Sequence, residues 1–449
     1  IRETFPRHHQ KIPRSPAVLG GSSDEVHYQK YSGDAYDLDA DLRNELLIDL
    51  SKNFPQSISN ANGILICGDI AFSAQKKEYA VASDFLEQLC QQVSLDPSMV
   101  FCVPGNHDVD QGMTRGSRSI KSLQQDIEIA NPQEAEKLLG QICRNPLDAQ
   151  TLCASIEHFN AFATKYHCGF TQNVLFWEQD MPLNGTYTLC IVGMNSTLIS
   201  SERDHVDETT ERPMRLSLSQ IPKRRANTIF LSLCHHPPEC WIDLDGKLQT
   251  KMDARVAVQL YGHKHLQTVR QTKQGIAVGS GATHPVRTEM DWIPRYNWLT
   301  LEIGQKSGKN ILIVHIYPRV FNKDETAFVV DPALQNGQNY LEYHIFLDEP
   351  EDIPKDNVSE GANTVHKAEA KQPMSCPLSV GSWERAFIYD FMNLSFYARK
   401  RVIETLSLDQ PEDVGKTLTE LLDCYIERAK EKGQVEKLLK QVQDERERS

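Results

Sequence analysis

Short apolar runs that end abruptly in polar residues dominate the first two-thirds of the chain. Ile64–Cys67, Met99–Val103, Thr228–Cys234, Ala254–Tyr261 and Ile276–Val278 are rich in Ile, Val, Leu and Phe. Runs this short predict buried strands. Tyr187–Met194, Trp298–Ile303 and Ile311–Tyr317 add further strands. Helical spacing lies between several of them. Leu42, Leu46 and Leu50 recur at every fourth position, and Ala82, Phe85, Leu86 and Leu89 share one face of Glu78–Gln91. Strands alternating with helices predict an α/β domain whose sheet is covered on both sides.

Three stretches depart from that rhythm. Residues 109–180 carry helical segments such as 152–159 and predict a helical insertion beside the main sheet. Residues 349–380 are polar, with Glu, Asp, Pro and Lys, and predict a linker. Beyond it, Leu418, Leu421, Leu422, Tyr425, Ile426 and Ala429 form a helical stripe that Gly433 can stop. Val435, Leu438, Leu439 and Val442 then begin another. The expected division is therefore 1–348, the linker 349–380, and an all-α module over 381–449. Residues 1–40 are polar, rich in Pro, Tyr and Asp, and show no period.

Composition narrows the class of protein without choosing a function. At roughly 150 residues per domain, 449 residues suggest two or three domains. Hydrophobic residues at 40% and charged residues at 24% are ordinary for a folded globular chain. No apolar run approaches the roughly 18 residues of a membrane span. Asp and Glu (61) exceed Lys and Arg (48), a net charge of −13 that argues against coating nucleic acid by charge alone. Eleven cysteines are scattered with no Cys-x-x-Cys pair, which reads as reduced, buried thiols and a cytoplasmic setting.

Candidate chemistry sits just after the strand-like runs. Gly68-Asp69 follows the first, Gly105-Asn106-His107-Asp108 the second, His235-His236-Pro237-Pro238 the third and Gly262-His263-Lys264-His265 the fourth. Taken singly, each reads as a turn, a cap or a surface loop. Taken together, in this order and each behind a strand, they place carboxylate, amide and imidazole at the carboxyl ends of a sheet, where ligands converge. Those donors suit divalent transition metals. The neighbouring glycines let the backbone turn sharply.

This set resembles the calcineurin-like metallophosphoesterase superfamily over about residues 40–320, most specifically through Gly-Asn-His-Asp and Gly-His-Lys-His. The resemblance implies a two-sheet α/β sandwich and a centre of two divalent ions (manganese, iron or zinc). Carried over residue by residue, it makes Asp69 the carboxylate bridging both ions. Asn106, His235 and His263 complete the second site, and His265 serves the first. His107 would face the substrate phosphate with Asn106 and protonate the leaving oxygen, with Asp108 steadying it. His236 is expected to support the ligands; Asn195-Ser196, at the end of Tyr187–Met194, are weaker candidates for the pocket. The C-terminal module more faintly resembles the death-fold-like adaptor domains of bacterial conflict effectors, which implies recruitment by a protein partner. A plain helical extension packing on the rest of the chain is the other reading.

One departure from the family pattern stands out. The family's opening strand ends in Asp-x-His, and residues 1–68 contain no such run. Asp24 and His27 have the wrong spacing. The expectation is a sheet without its central strand and a first metal site reduced to Asp69 and His265. The function expected is metal-dependent hydrolysis of phosphoesters, by a phosphodiesterase or nuclease acting on a nucleotide or nucleic acid, without membrane association. A non-catalytic interaction protein on the same fold is the rival. The phosphoprotein branch fits less well, because Ile70-Ala71-Phe72-Ser73 follows Asp69 in place of that branch's extended acidic and basic pattern.

Overall fold

The computed structural model describes residues 17–21, 40–53, 60–171, 174–204, 212–283, 293–334, 337–348 and 382–448. Near the start come β1 (Ala17–Gly21), α1 (Ala40–Lys52), β2 (Ala61–Ile66), α2 (Lys76–Gln92) and β3 (Val100–Cys102). Five helices follow: α3 (Gln111–Gly116), α4 (Arg118–Ile129), α5 (Pro132–Ile142), α6 (Pro146–Cys153) and α7 (Glu157–Ala163). Next are β4 (Phe176–Pro182), β5 (Thr188–Met194), β6 (Thr228–Cys234), α8 (Lys247–Arg255), β7 (Val258–Tyr261), β8 (Thr268–Gln271) and β9 (Ile276–Gly279). Four antiparallel strands close this part: β10 (Arg295–Lys306), β11 (Lys309–Asn322), β12 (Ala327–Val330) and β13 (Leu341–Phe346). The last helices are α9 (Ser382–Asn393), α10 (Phe396–Leu406), α11 (Leu418–Glu431) and α12 (Val435–Glu447).

The strands form two mixed sheets. One runs β12-β11-β10-β1-β2-β3, with β13 also on β11, and the other runs β4-β5-β6-β7-β9-β8. Their facing sides share one core. Leu65 and Phe101 from the first sheet join Leu189, Ile191, Leu231, Leu233 and Leu260 from the second. Alternation along β5 turns Cys190 and Val192 to the opposite face, where they meet Leu248 and Met252 of α8. This is the α/β two-sheet sandwich expected, with helices α9–α12 after it.

Three departures from the sequence reading have physical causes. The centre of the first sheet is filled: β1 pairs parallel with β2 (Leu19 beside Ile64) and antiparallel with β10 (Leu19 beside Trp298). The expectation of a missing central strand is thus corrected. Ala-Val-Leu-Gly-Gly is too short and too rich in glycine to stand out as a strand, and its pairing comes from its neighbours on both edges. Asp24 and His27 lie outside the described residues. The helical stretch also ends before 180, because Phe176–Pro182 pairs with β5 as an edge strand. Finally, β7 begins at Val258, since Lys247–Arg255 is helical.

Local signals explain the helices. Leu42, Leu46 and Leu50 are all buried. Asn131 caps α5 by accepting from the Gln133 and Glu134 amides, with Pro132 in the first turn. Thr417 and Glu420 form a capping box on α11. Ile127, Leu139, Ile142 and Leu152 of the α3–α7 lobe pack on Leu198, Ile199 and Met214. The C-terminal helices have an apolar cluster of their own, including Phe387, Ile388, Val402, Leu422, Ile426 and Leu438.

Candidate metal centre

The two sheets deliver the candidate residues from opposite sides of one seam. Asp69 follows β2 and Asn106 follows β3, both in the first sheet. His235 follows β6 and His263 follows β7, both in the second. Asp69 and Asn106 are buried, and His235 is fully so. The loops are tight. Asp69, His263 and His265 have φ of 53°, 67° and 51°, in the left-handed region that side chains rarely adopt. Such strain persists only where surrounding structure enforces it, and it gathers at functional sites.

Hydrogen bonding fixes how the rings point. His235 Nδ1 donates to the Cys67 carbonyl oxygen at 2.7 Å, which turns Nε2 inward. Nε2 stands 2.9 Å from Asn106 Oδ1 and 3.2 Å from Asp69 Oδ2. His263 Nδ1 stands 3.1 Å from the same Asn106 oxygen. Lone pairs crowded this way repel unless a proton or cation lies among them. Donor atoms about 2.1 Å from one ion stand about 3 Å apart when at right angles, so the observed spacings fit a divalent cation. The Nδ1–H bond to a carbonyl is also the support that metal-ligating histidines use.

Glycine makes the approach possible. A Cβ on Gly68 would stand 2.5 Å from His235 Nδ1, and one on Gly105 would collide with the Asp69 carboxylate. Burial pushes the Asp69 carboxyl up, but His235 and His107 beside it hold it well below the usual carboxylate range. It stays a carboxylate, the form that binds cations.

The structure also places two further side chains of the site. The Asp108 carboxylate bonds to groups other than the His107 ring. It accepts from the Ile70, Ala71 and Gly105 amides and from the Tyr79 hydroxyl, at 2.8–3.1 Å. Through these bonds Asp108 ties the loop after β3 to the loop after β2. Burial and the nearby Asp69 charge push its carboxyl up to about 6, against the pull of those hydrogen bonds. His236, expected only as support, gathers with His235 and His263 so that one ligand atom from each lies within 4.8 Å of the others. Burial first, then the neighbouring histidines, lower its pKa well below the usual imidazole range, and its Nδ1 lies 2.9 Å from Ser196 Oγ. Ser196 thus reaches the cluster through His236.

His107 lies at the rim. Its backbone N–H donates to Asp69 Oδ1 at 3.0 Å, and its Nδ1 donates to the Phe72 carbonyl at 2.9 Å. His265 is half-buried, two residues beyond His263 on the same turn. Phe72, Tyr79 and the Cys67 carbonyl were not singled out by the sequence reading. A backbone oxygen leaves no mark in a sequence, and Tyr79 reads as one more helix residue facing the core.

A buried set of carboxylate, amide and imidazole donors at the seam of a two-sheet sandwich is what a metallophosphoesterase requires. The chain matches the family model described as calcineurin-like phosphoesterase over residues 26–267, more than half its length, and belongs to that family. The family acts on phosphoesters with divalent metal ions. Among curated proteins none matches the chain. Similar solved structures include a Vps29 single mutant from Entamoeba histolytica (10% identity, 74% of this chain and 99% of that one, TM-score 0.27). A putative 5'-nucleotidase from Staphylococcus aureus is 9% identical over 76% of this chain and 56% of its own, with a TM-score of 0.30. GAP50, the anchor in the inner membrane complex of Plasmodium, is 9% identical over 75% and 90%, with a TM-score of 0.33. No helix among the described residues is long and apolar enough to cross a membrane.

Proposed function

We propose that the protein hydrolyses phosphodiesters of nucleotides or nucleic acid. The supporting observation is the convergence of Asp69, Asn106, His235 and His263 with His107 held at the rim. Asp69, Asn106, His235 and His263 would hold one divalent ion, and Asp69 with His265 would contribute to a second; manganese, iron and zinc all suit these donors. When bound, such ions supply positive charge against the phosphoryl oxygens and lower the pKa of water.

The remaining steps belong to the chain's own groups. The Asn106 amide and His107 orient the phosphate. Because His107 Nδ1–H is committed to the Phe72 carbonyl, its exchangeable proton resides at Nε2, from where it passes to the departing oxygen. Residues 1–348 would form the hydrolytic unit. The C-terminal helices would act as a recruitment module, a reading supported by their own core and by exposed Phe396 and Tyr397.

The test compares wild type with His107→Ala after chelation and reloading with manganese. Metal content should match wild type while diester turnover falls by about 10²–10⁴-fold. Parallel loss of metal and turnover would refute the role given to His107. The rival, a non-catalytic interaction protein, draws on the lack of Asp-x-His in residues 1–68. It requires that the metal-loaded chain turn over no phosphoester.

A further inference from the structure

Phe72 stands beside His107 at the rim. It is 40% exposed, although a large apolar side chain gains by leaving water. Its ring stacks on His107, with centroids 5.4 Å apart and planes 21° from parallel, while its carbonyl holds the His107 Nδ1 proton. The backbone on both sides is pinned by buried carboxylates. Asp108 accepts from the Ile70 and Ala71 amides. Glu78 accepts from the Ser73 amide and hydroxyl and from the Gln75 amide, at 2.8–3.1 Å. An exposed aromatic ring is thus held rigidly beside the group that meets the leaving oxygen. Such preorganisation lowers the entropic cost of gripping a ligand.

We infer that Phe72 is a specificity-determining residue: its ring is the platform on which a flat aromatic part of the leaving alcohol stacks, which selects diesters whose departing group is a nucleoside. This rests on the hydrolytic reading above and adds the side of the scissile bond that is read. His107 gives its proton to the leaving oxygen, so whatever hangs from that oxygen passes over the His107–Phe72 pair. A base stacks well on an aromatic side chain, with little dependence on which base it is.

The experiment uses the full, manganese-loaded chain and two dinucleotide diesters. In one the leaving nucleoside carries its base; in the other that base is absent. The departing alcohol and its acidity are otherwise alike. Wild type should favour the base-bearing diester by about tenfold or more in kcat/KM. Phe72→Ala and Phe72→Leu should bring that ratio close to one, and Phe72→Trp should keep it. A wild-type ratio near one, or a preference that survives Phe72→Ala, overturns the inference while leaving hydrolysis standing. Failure of wild type to cleave either diester overturns the hydrolytic reading. Phe72 is then judged by calorimetric affinity for a nucleoside 5'-monophosphate against ribose 5-phosphate. Equal affinities overturn the inference, and a base-dependent gain lost in Phe72→Ala upholds it.

Discussion

At the scale of single residues, the site is governed by where side chains are absent as much as by where they are present. Gly105 has no Cβ because the Asp69 carboxylate occupies that space. Gly105→Ala should therefore displace Asp69, with loss of metal binding by elemental analysis and of turnover, while the far-ultraviolet spectrum stays native. Asp108→Ala should act through loop order. It strands three amides and the Tyr79 hydroxyl, and should lower stability by about 2–4 kcal/mol in denaturant unfolding, at roughly 0.5–1 kcal/mol per broken bond. The ligand-type residues were legible in the sequence because four distinct polar clusters each followed a strand. Their second tier was not. The resemblance set Asp108 beside His107, whereas the turn sends its carboxylate to amides 37 and 38 positions away, which no local pattern marks.

At the scale of elements, periodicity served long segments well and short ones poorly. Helices α1, α2, α11 and α12 announced themselves through apolar positions three and four apart. β1 did not, since five residues with two glycines carry almost no intrinsic preference, and its strand geometry comes from pairing on both edges. The turn before α11 carries a testable electrostatic device. Asp413 takes hydrogen bonds from Arg428 and Lys416, and these hold its carboxyl well below the usual range. A carboxyl depressed in the folded state adds stability above its unfolded value near 3.8, and that stability drains away as pH falls through and below it. Thermal unfolding should thus find Asp413→Asn less stable than wild type at pH 7, with the gap beginning to narrow as pH falls below about 4 and narrowing further at lower pH. A gap independent of pH would mean the ion pair does not contribute.

At the scale of the whole molecule, the C-terminal helices are fastened to the strand that leads into the site. Arg385 of α9 is buried and donates to the Ser98 and Val100 carbonyls and to Gln179, with its guanidinium 4.2 Å above the Phe101 ring. Tyr389 reaches Glu87, and His167 reaches Asp423. β3 is the edge of its sheet, so Arg385, with the Trp177 indole on the Cys102 carbonyl, covers carbonyls that would otherwise invite foreign strands. Arg385→Met should cost about 3 kcal/mol in unfolding experiments, because charged hydrogen bonds to buried carbonyls are lost. An unchanged midpoint would show that the seam contributes little. Sequence periodicity identified the helices but could not show this attachment, which depends on one cation meeting backbone oxygens.

That attachment also sets a schedule. Val100 and Arg385 are 285 positions apart, so at cellular rates of about 5–20 residues per second the strand emerges roughly 15–60 s before its cover is made. Throughout that interval the Ser98 and Val100 carbonyls lack the guanidinium that covers them in the finished chain. A ribosome that stalls short of Arg385 leaves that part of the edge, just ahead of Asn106 and His107, open to pairing with neighbouring chains.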